Sequence, residues 1–135
     1  MAFTFAQKVL FKHCDPAGIV FYPRYFEMMN DCVEAFFDEV LRAPFEDIHA
    51  SGGVPTAQIA TRFTAPSRHG DHLILTLRVE KVGRTSFDYR MSATCGSERR
   101  FETTATLVHI TSAGRPTPWP EPIRETLSAQ KDQSA

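Results

Sequence analysis

Residues 13–25 read HCDPAGIVFYPRY, and three of them carry the elements of an acyl-transfer site. Asp15 stands directly before a proline, so its backbone is biased to an extended conformation and its carboxylate can project from a loop. Gly18 has no side chain, which leaves room for a ligand to approach the backbone. Tyr22 falls where a helical pattern begins, and the first N–H groups of a helix are unpaired and favour negative charge. Pro23 has no N–H, so the donor role passes to neighbours such as Tyr22. A carboxylate near such a donor is the minimum for acyl transfer: a nucleophile or base, and a place for developing charge. Direct attack by Asp15 and activation of a water both remain open. On spacing alone, Asp15 could equally close a turn or cap the helix, and Tyr22 could be a core aromatic.

Other residues offer less. His13 and Cys14 are adjacent in an extended segment and point to opposite sides, so a thiol–imidazole pair is not expected. His69 and His72, in RHGDH, are too few for a metal site and read as a solvated turn. Asn30 could touch substrate from the helix or face solvent. Thr56 and Ser86 open strands, where each could donate a hydrogen bond into a pocket or to its own backbone. Arg62, Lys81 and Arg84 are the basic residues that could meet a nucleotide phosphate, with a solvated loop arginine as the plain alternative for Arg84.

The elements that must position these residues follow from periodicity. Phe3, Phe5, Val9 and Phe11 share one parity and predict a first strand over 3–11. From Tyr22 the period changes. Tyr22, Tyr25, Phe26, Met29, Val33, Phe36, Phe37 and Val40 step by three and four and predict a long helix with a broad apolar arc. Pro23 suits its first turn, and Pro44 lies beyond its end. Residues 42–53 connect. Strands are predicted over 54–65, 71–82, 85–95 and 100–111, joined by short glycine-containing links that make antiparallel neighbours. The segment 116–135, rich in Pro, Ser, Gln and charge, is expected to be a partly disordered tail after a domain spanning 1–115. One helix must then cover one antiparallel sheet, an α+β arrangement in which a curved sheet wraps the helix.

Composition narrows the partners. The chain has 135 residues, one domain's worth, with 15 basic and 16 acidic residues and a net charge of -1. That argues against a general polyanion binder, so no nucleic acid partner is expected. No apolar run approaches the ~20 residues of a membrane helix, and no signal peptide is read at the N-terminus. Three widely spaced cysteines make no disulfide or metal pattern and fit a cytoplasmic setting.

The stretch HCDPAGIVFYPRYFEMMN resembles the signature of the 4-hydroxybenzoyl-CoA thioesterase family, a group of hotdog-fold proteins, with D-P-A-G-I-V-x-Y-P-x-Y as its specific core. The resemblance covers the element order from Phe3 to about Ile110. It implies an acyl-CoA thioesterase without metal or organic cofactor, acting as a homodimer or homotetramer with its site between protomers. By position, Asp15 matches the catalytic carboxylate, and Tyr22 the residue whose backbone N–H faces the thioester oxygen. Gly18 lies between them. Where members specific for the 4-hydroxybenzoyl group carry an Asp in the helix, this chain has Asn30, and an aromatic residue of some members is Val82 here. The hydrolytic motif is therefore intact while the acyl specificity departs, and an aryl- or short acyl-CoA is expected. The rival is a non-catalytic hotdog module that binds acyl-CoA, disfavoured by the retained Asp15. A hotdog dehydratase is disfavoured because its chemistry would need a His paired with a carboxylate.

Overall fold

The computed structural model describes residues 2–134. Met1 and Ala135, the outer limits of the expected domain and tail, lie outside the described residues. In chain order the elements are β1 (Phe3–Lys8), α1 (Tyr22–Glu39), α2 (Phe45–Ile48), β2 (Gly52–Gly53), β3 (Thr56–Phe63), β4 (His72–Val82), β5 (Ser86–Cys95), β6 (Glu98–Val108), β7 (Ile110–Thr111) and α3 (Glu121–Ser134). Five strands form one antiparallel sheet in the order β1-β4-β5-β6-β3. β2 and β7 pair separately. Their contact is so close that a Cβ on Gly52 would lie 2.2 Å from the Ile110 carbonyl oxygen, so only glycine fits.

The sheet's inner face carries the predicted alternation. Leu73, Leu75, Leu77 and Val79 of β4 are buried, as are Phe87, Tyr89, Met91 and Ala93 of β5 and Phe101, Ala105 and Leu107 of β6. Against them lies α1, with Tyr25, Met28, Met29, Cys32, Val33, Phe36 and Phe37 buried. Phe36 meets Phe3 edge-on at 5.7 Å, and Tyr25 meets Phe101 edge-on at 5.2 Å. The buried arc includes Met28 and Cys32, which the predicted face omitted, and leaves out Tyr22, which is 58% exposed. Tyr22 is the first helical residue and meets the end of β3, edge-on to Phe63 at 6.2 Å.

Two expectations differ from the structure. β1 ends at Lys8 rather than residue 11, because the Leu10 N–H bonds the ring nitrogen Nδ1 of His13 at 2.8 Å instead of a ladder partner. Phe11 then falls in a 3-10 turn and is 81% exposed. The segment read as a partly disordered tail contains α3. Trp119, Ile123 and Leu127, spaced by four, are buried, and the Trp119 indole stacks on His109 while its N–H bonds the Ser86 carbonyl at 3.1 Å. The polar composition of this segment hid a narrow apolar stripe.

One polar cluster ties the loop before β4 to the sheet. The Arg100 guanidinium, 9% exposed, reaches the Asp71 carboxylate at 2.7 Å, the Ser67 hydroxyl at 3.1 Å and the Pro66 carbonyl at 3.2 Å. The Tyr25 hydroxyl donates to Ser67 Oγ at 2.8 Å, which brings α1 into the same cluster. Arg100 Nε lies 2.8 Å from Glu98 without hydrogen-bond alignment. The bond from Arg100, followed by the backbone N–H of Arg68, holds the Asp71 carboxyl below its ordinary value of 3.8.

Two predictions follow from this packing. Leu127→Ala should lower stability by about 2–5 kcal/mol in chemical denaturation if α3 completes the core; an unchanged midpoint would remove α3 from the folded unit. A depressed carboxylate contributes stability above its unfolded pKa and loses it as pH falls through the folded one. Asp71→Asn should therefore flatten the acid limb of the stability–pH profile below about pH 4, near the reference Asp value; an acid limb as steep as that of the wild type would contradict the assignment.

Candidate active site

The Asp15 loop is built almost wholly from backbone bonds. The Asp15 N–H donates to the Ile19 carbonyl and the Gly18 N–H to the Asp15 carbonyl, both at 2.9 Å. Gly18 has φ +81°, the left-handed conformation that favours glycine, and nothing lies within 4 Å of where its Cβ would be. Cys14 and Val20 bridge across the loop, and the Val20 N–H donates to the Ser67 carbonyl at 2.9 Å. His13, 5% exposed, holds the stem: its ring accepts the Leu10 N–H and its carbonyl accepts the Phe21 N–H. Burial, then the neighbouring Lys12 charge, lowers the His13 pKa, which keeps the ring neutral and able to accept. His13 is thus structural and not the base of a Cys14 nucleophile.

Within this frame Asp15 is half-buried. One carboxylate oxygen accepts the Ala17 N–H at 2.9 Å, while the other has no partner among the described residues. The helix begins seven residues later with no capping side chain. The Arg24 N–H bonds back to the Phe21 carbonyl, Pro23 has no N–H, and the Tyr22 N–H meets no acceptor among the described residues. The loop thus carries a carboxylate oxygen without a partner, seven residues ahead of a helix whose first N–H has no acceptor among the described residues.

Asn30 and Thr56 lie elsewhere. They line a cavity of about 640 Å³ between α1 and β3, together with Val33, Ile59, His49 and Tyr89. Asp15 does not line it. A second groove of about 370 Å³, at the helix start, is lined by Ile19, Tyr22 and Phe63. Arg84 and Ser86 join neither: their carbonyls accept the Trp119 backbone and indole N–H groups at the β4–β5 turn. Arg62 and Lys81 lie on the sheet's outer face, beside Arg90 and Glu102 and beside Glu80 and Asp88 respectively. His69 and His72 are exposed, and His69 packs on Phe11 at 5.9 Å. Among the described residues no three potential metal ligands gather.

Sequence reading missed Tyr89, His49 and Arg100. Tyr89 shares the parity of core residues, so its hydroxyl carried no separate signal. His49 sits in a connecting segment, placed by the short α2 through a bond from its ring to the Phe45 carbonyl at 2.8 Å. Arg100 reads as one of two adjacent surface arginines, and only its inward position shows otherwise.

Comparisons with known proteins agree with this architecture. The family model of the thioesterase-like superfamily matches residues 9–127. No curated protein sequence matches the chain. Among solved structures, a 1,4-dihydroxy-2-naphthoyl-CoA thioesterase from Synechocystis superposes with a TM-score of 0.87 at 18% identity, covering 95% of this chain and 96% of that one. The 4-hydroxybenzoyl-CoA thioesterase from Pseudomonas sp. strain CBS-3 gives 0.84 at 24% identity, over 93% and 98% of the two chains. A gentisyl-coenzyme A thioesterase gives 0.85 at 23% identity, over 92% and 98%. At these identities the structural likeness speaks to fold, while the family match spans most of the sequence. Among the described residues no helix is long and apolar enough to cross a membrane. With its sheet laid round one long helix and its match from residue 9 to 127, the chain belongs to the thioesterase-like superfamily of hotdog-fold thioester hydrolases.

Proposed function

We propose that the chain hydrolyses an aryl- or short acyl-CoA thioester to the free acid and CoA. The observation that supports this reading is the Tyr22 N–H. It is the first donor of an 18-residue helix, it has no acceptor among the described residues, and the loop before it carries Asp15. A thioester oxygen bonded to that N–H would gain negative charge where the helix dipole favours it. Asp15 then acts by one of two balanced routes. Its free oxygen attacks the carbonyl carbon, expels the CoA thiolate and leaves a mixed anhydride, which water opens. Alternatively it takes a proton from a water that attacks directly. Both routes give acid and CoA and need neither metal nor organic cofactor.

The site is completed by a second copy of the chain. Asn30 lies eight residues beyond Tyr22, about 12 Å along the helix at 1.5 Å per residue. The cavity with Asn30 and Thr56 is thus separate from its own chain's Asp15. β3 is an edge strand, with Ile59 and Phe63 exposed at 40% and 43%. Edges of this kind are commonly paired, and a twofold axis makes the same strand serve both partners. In such a homodimer the Asp15 loop of one protomer faces the Asn30 cavity of the other, and the family resemblance extends the assembly to a homotetramer. Asn30 offers a neutral amide instead of a carboxylate, so the reading carries no requirement for a 4-hydroxybenzoyl group. Gly18 gives the substrate backbone access. Arg84 is assigned to a CoA phosphate on its charge and loop position, while Ser86 lines neither cavity and its carbonyl accepts the Trp119 indole N–H.

Two measurements test this. Free thiol released from a panel of acyl-CoAs should identify a substrate, and Asp15→Asn should lower kcat on it by roughly 10²–10⁴-fold, the usual contribution of a positioned base. The melting temperature should stay within a few degrees of wild type. Turnover near wild type in a folded Asn variant would end the catalytic role of Asp15. For the shared site, an inactive Asp15→Asn chain is mixed with a chain inactivated by Asn30→Trp, under partial unfolding that lets subunits exchange. Heterodimers hold one site with both defects and one with neither, so activity should return. Verified heterodimers that stay inactive would contradict a site built from two chains.

A further inference from the structure

The cavity between α1 and β3 contains a polar group that the hydrolytic reading does not use. Tyr89 belongs to the inward row of β5, between Phe87 and Met91, and is 3% exposed. Its hydroxyl bonds no group among the described residues, although Tyr hydroxyls usually find a partner when buried. The hydroxyl is not sealed either: among the described residues the sealed, unpaired side-chain atom is Arg100 Nε. It therefore reaches open space, and the open space on the inner side of the sheet at this point is the 640 Å³ cavity that Tyr89 lines. Burial, with the nearby Cys32 thiol, pushes the Tyr89 pKa up to about 12, so the group stays protonated and can donate.

A second group in the same cavity has a fixed role. The Nδ1 of His49 lies 2.8 Å from the Phe45 carbonyl oxygen, which can only accept. Nδ1 therefore carries the proton of the neutral ring, and Nε2 is left as an acceptor. Nε2 lies 3.8 Å from where a Cβ on Gly53 would be, and Gly53 also lines the cavity. The pocket thus holds a donor from β5 and an acceptor beside α2, alongside Asn30 and Thr56 and apolar walls such as Val33, Ile59 and Leu107.

We infer that Tyr89 is a specificity-determining residue whose hydroxyl donates to a hydroxyl oxygen on the acyl group, so that the preferred substrate is a hydroxylated acyl-CoA rather than a plain hydrocarbon one. A hydroxyl accepts from Tyr89 and can donate to His49 Nε2, which a methyl or hydrogen in its place cannot do. This rests on reading the cavity as the acyl pocket. An unsubstituted acyl group would leave the buried Tyr89 donor dry and unpaired, and sites built to bond a substrate hydroxyl discriminate against analogues that lack it.

The test is Tyr89→Phe, which keeps the ring and removes the oxygen. Values of kcat/KM are compared on acyl-CoAs that differ by one hydroxyl: benzoyl-CoA against its 2-, 3- and 4-hydroxy forms, and butyryl-CoA against 3-hydroxybutyryl-CoA. Wild type should favour at least one hydroxylated member by about tenfold, as expected for one hydrogen bond lost with its partner left buried. Tyr89→Phe should abolish that preference while changing the parent compound by less than about twofold. Because the hydroxyl has no partner in the free protein, the melting temperature should not fall. No preference in wild type, an equal loss on both members of each pair, or a lowered melting temperature that marks the hydroxyl as structural would each overturn the inference. Wild-type protein that releases thiol from no acyl-CoA would overturn the thioesterase reading along with it, which separates the two failures.

Discussion

A helix that buries about half its circumference must be covered on several sides, and the rest of this molecule is arranged to do so. Phe36 and Phe37 of α1 are 1% and 0% exposed, and Met28, Met29 and Cys32 are buried nearly as fully. Truncating any large side chain of this set removes transfer energy and leaves a cavity, so each position constrains the path of the helix. An 18-residue helix is about 27 Å long, and strands of ten or eleven residues span about 35 Å. The sheet is thus long enough to cover the helix body. The first helical residue stays largely exposed, with Tyr22 at 58%. An uncapped helix start on a rigid body suits the proposed oxyanion donor, since its position is set by packing elsewhere on the helix.

The other half of the proposed site is held by polar bonds. Ser67 accepts the Tyr25 hydroxyl and receives Arg100, while its carbonyl takes the Val20 N–H. The loop carrying Asp15 and the body of α1 are therefore fastened to the same serine. A buried guanidinium is tolerable only with its partners in place, and here a carboxylate, a hydroxyl and a carbonyl supply them. Apolar packing sets the helix start, and this cluster sets the loop that precedes it.

How much of this was legible in the sequence depended on the range of the interaction. The alternation of Leu73, Leu75, Leu77 and Val79 and the three- and four-residue steps from Tyr25 to Phe37 are local patterns, and both the strands and the helix were placed from them. The Asp15–Gly18–Tyr22 spacing was legible because loop and helix start are contiguous. The end of β1 depends on a His13 ring that no strand period records, so the strand pattern runs past it. α3 was lost because three apolar residues at four-residue intervals were diluted by Pro, Gln and charge. Tyr89 read only as a core aromatic, since a hydroxyl's partners, or their absence, are a property of packed neighbours. That Asp15 does not line the Asn30 cavity also follows from three dimensions alone.

The strand order has a consequence for how the chain is made. β1 pairs with β4, and β3 with β6, so both edges of the sheet wait for partners encoded far downstream. Asp15, Tyr22, Asn30 and Thr56 are all synthesised before His72, the first residue of β4. A nascent chain emerging from the ribosome therefore carries α1, with Phe36 and Phe37 uncovered, before most of its sheltering sheet exists. Exposed apolar surface of this kind makes an unfinished chain prone to aggregate, and the interval lasts until β5 and β6 have cleared the exit tunnel.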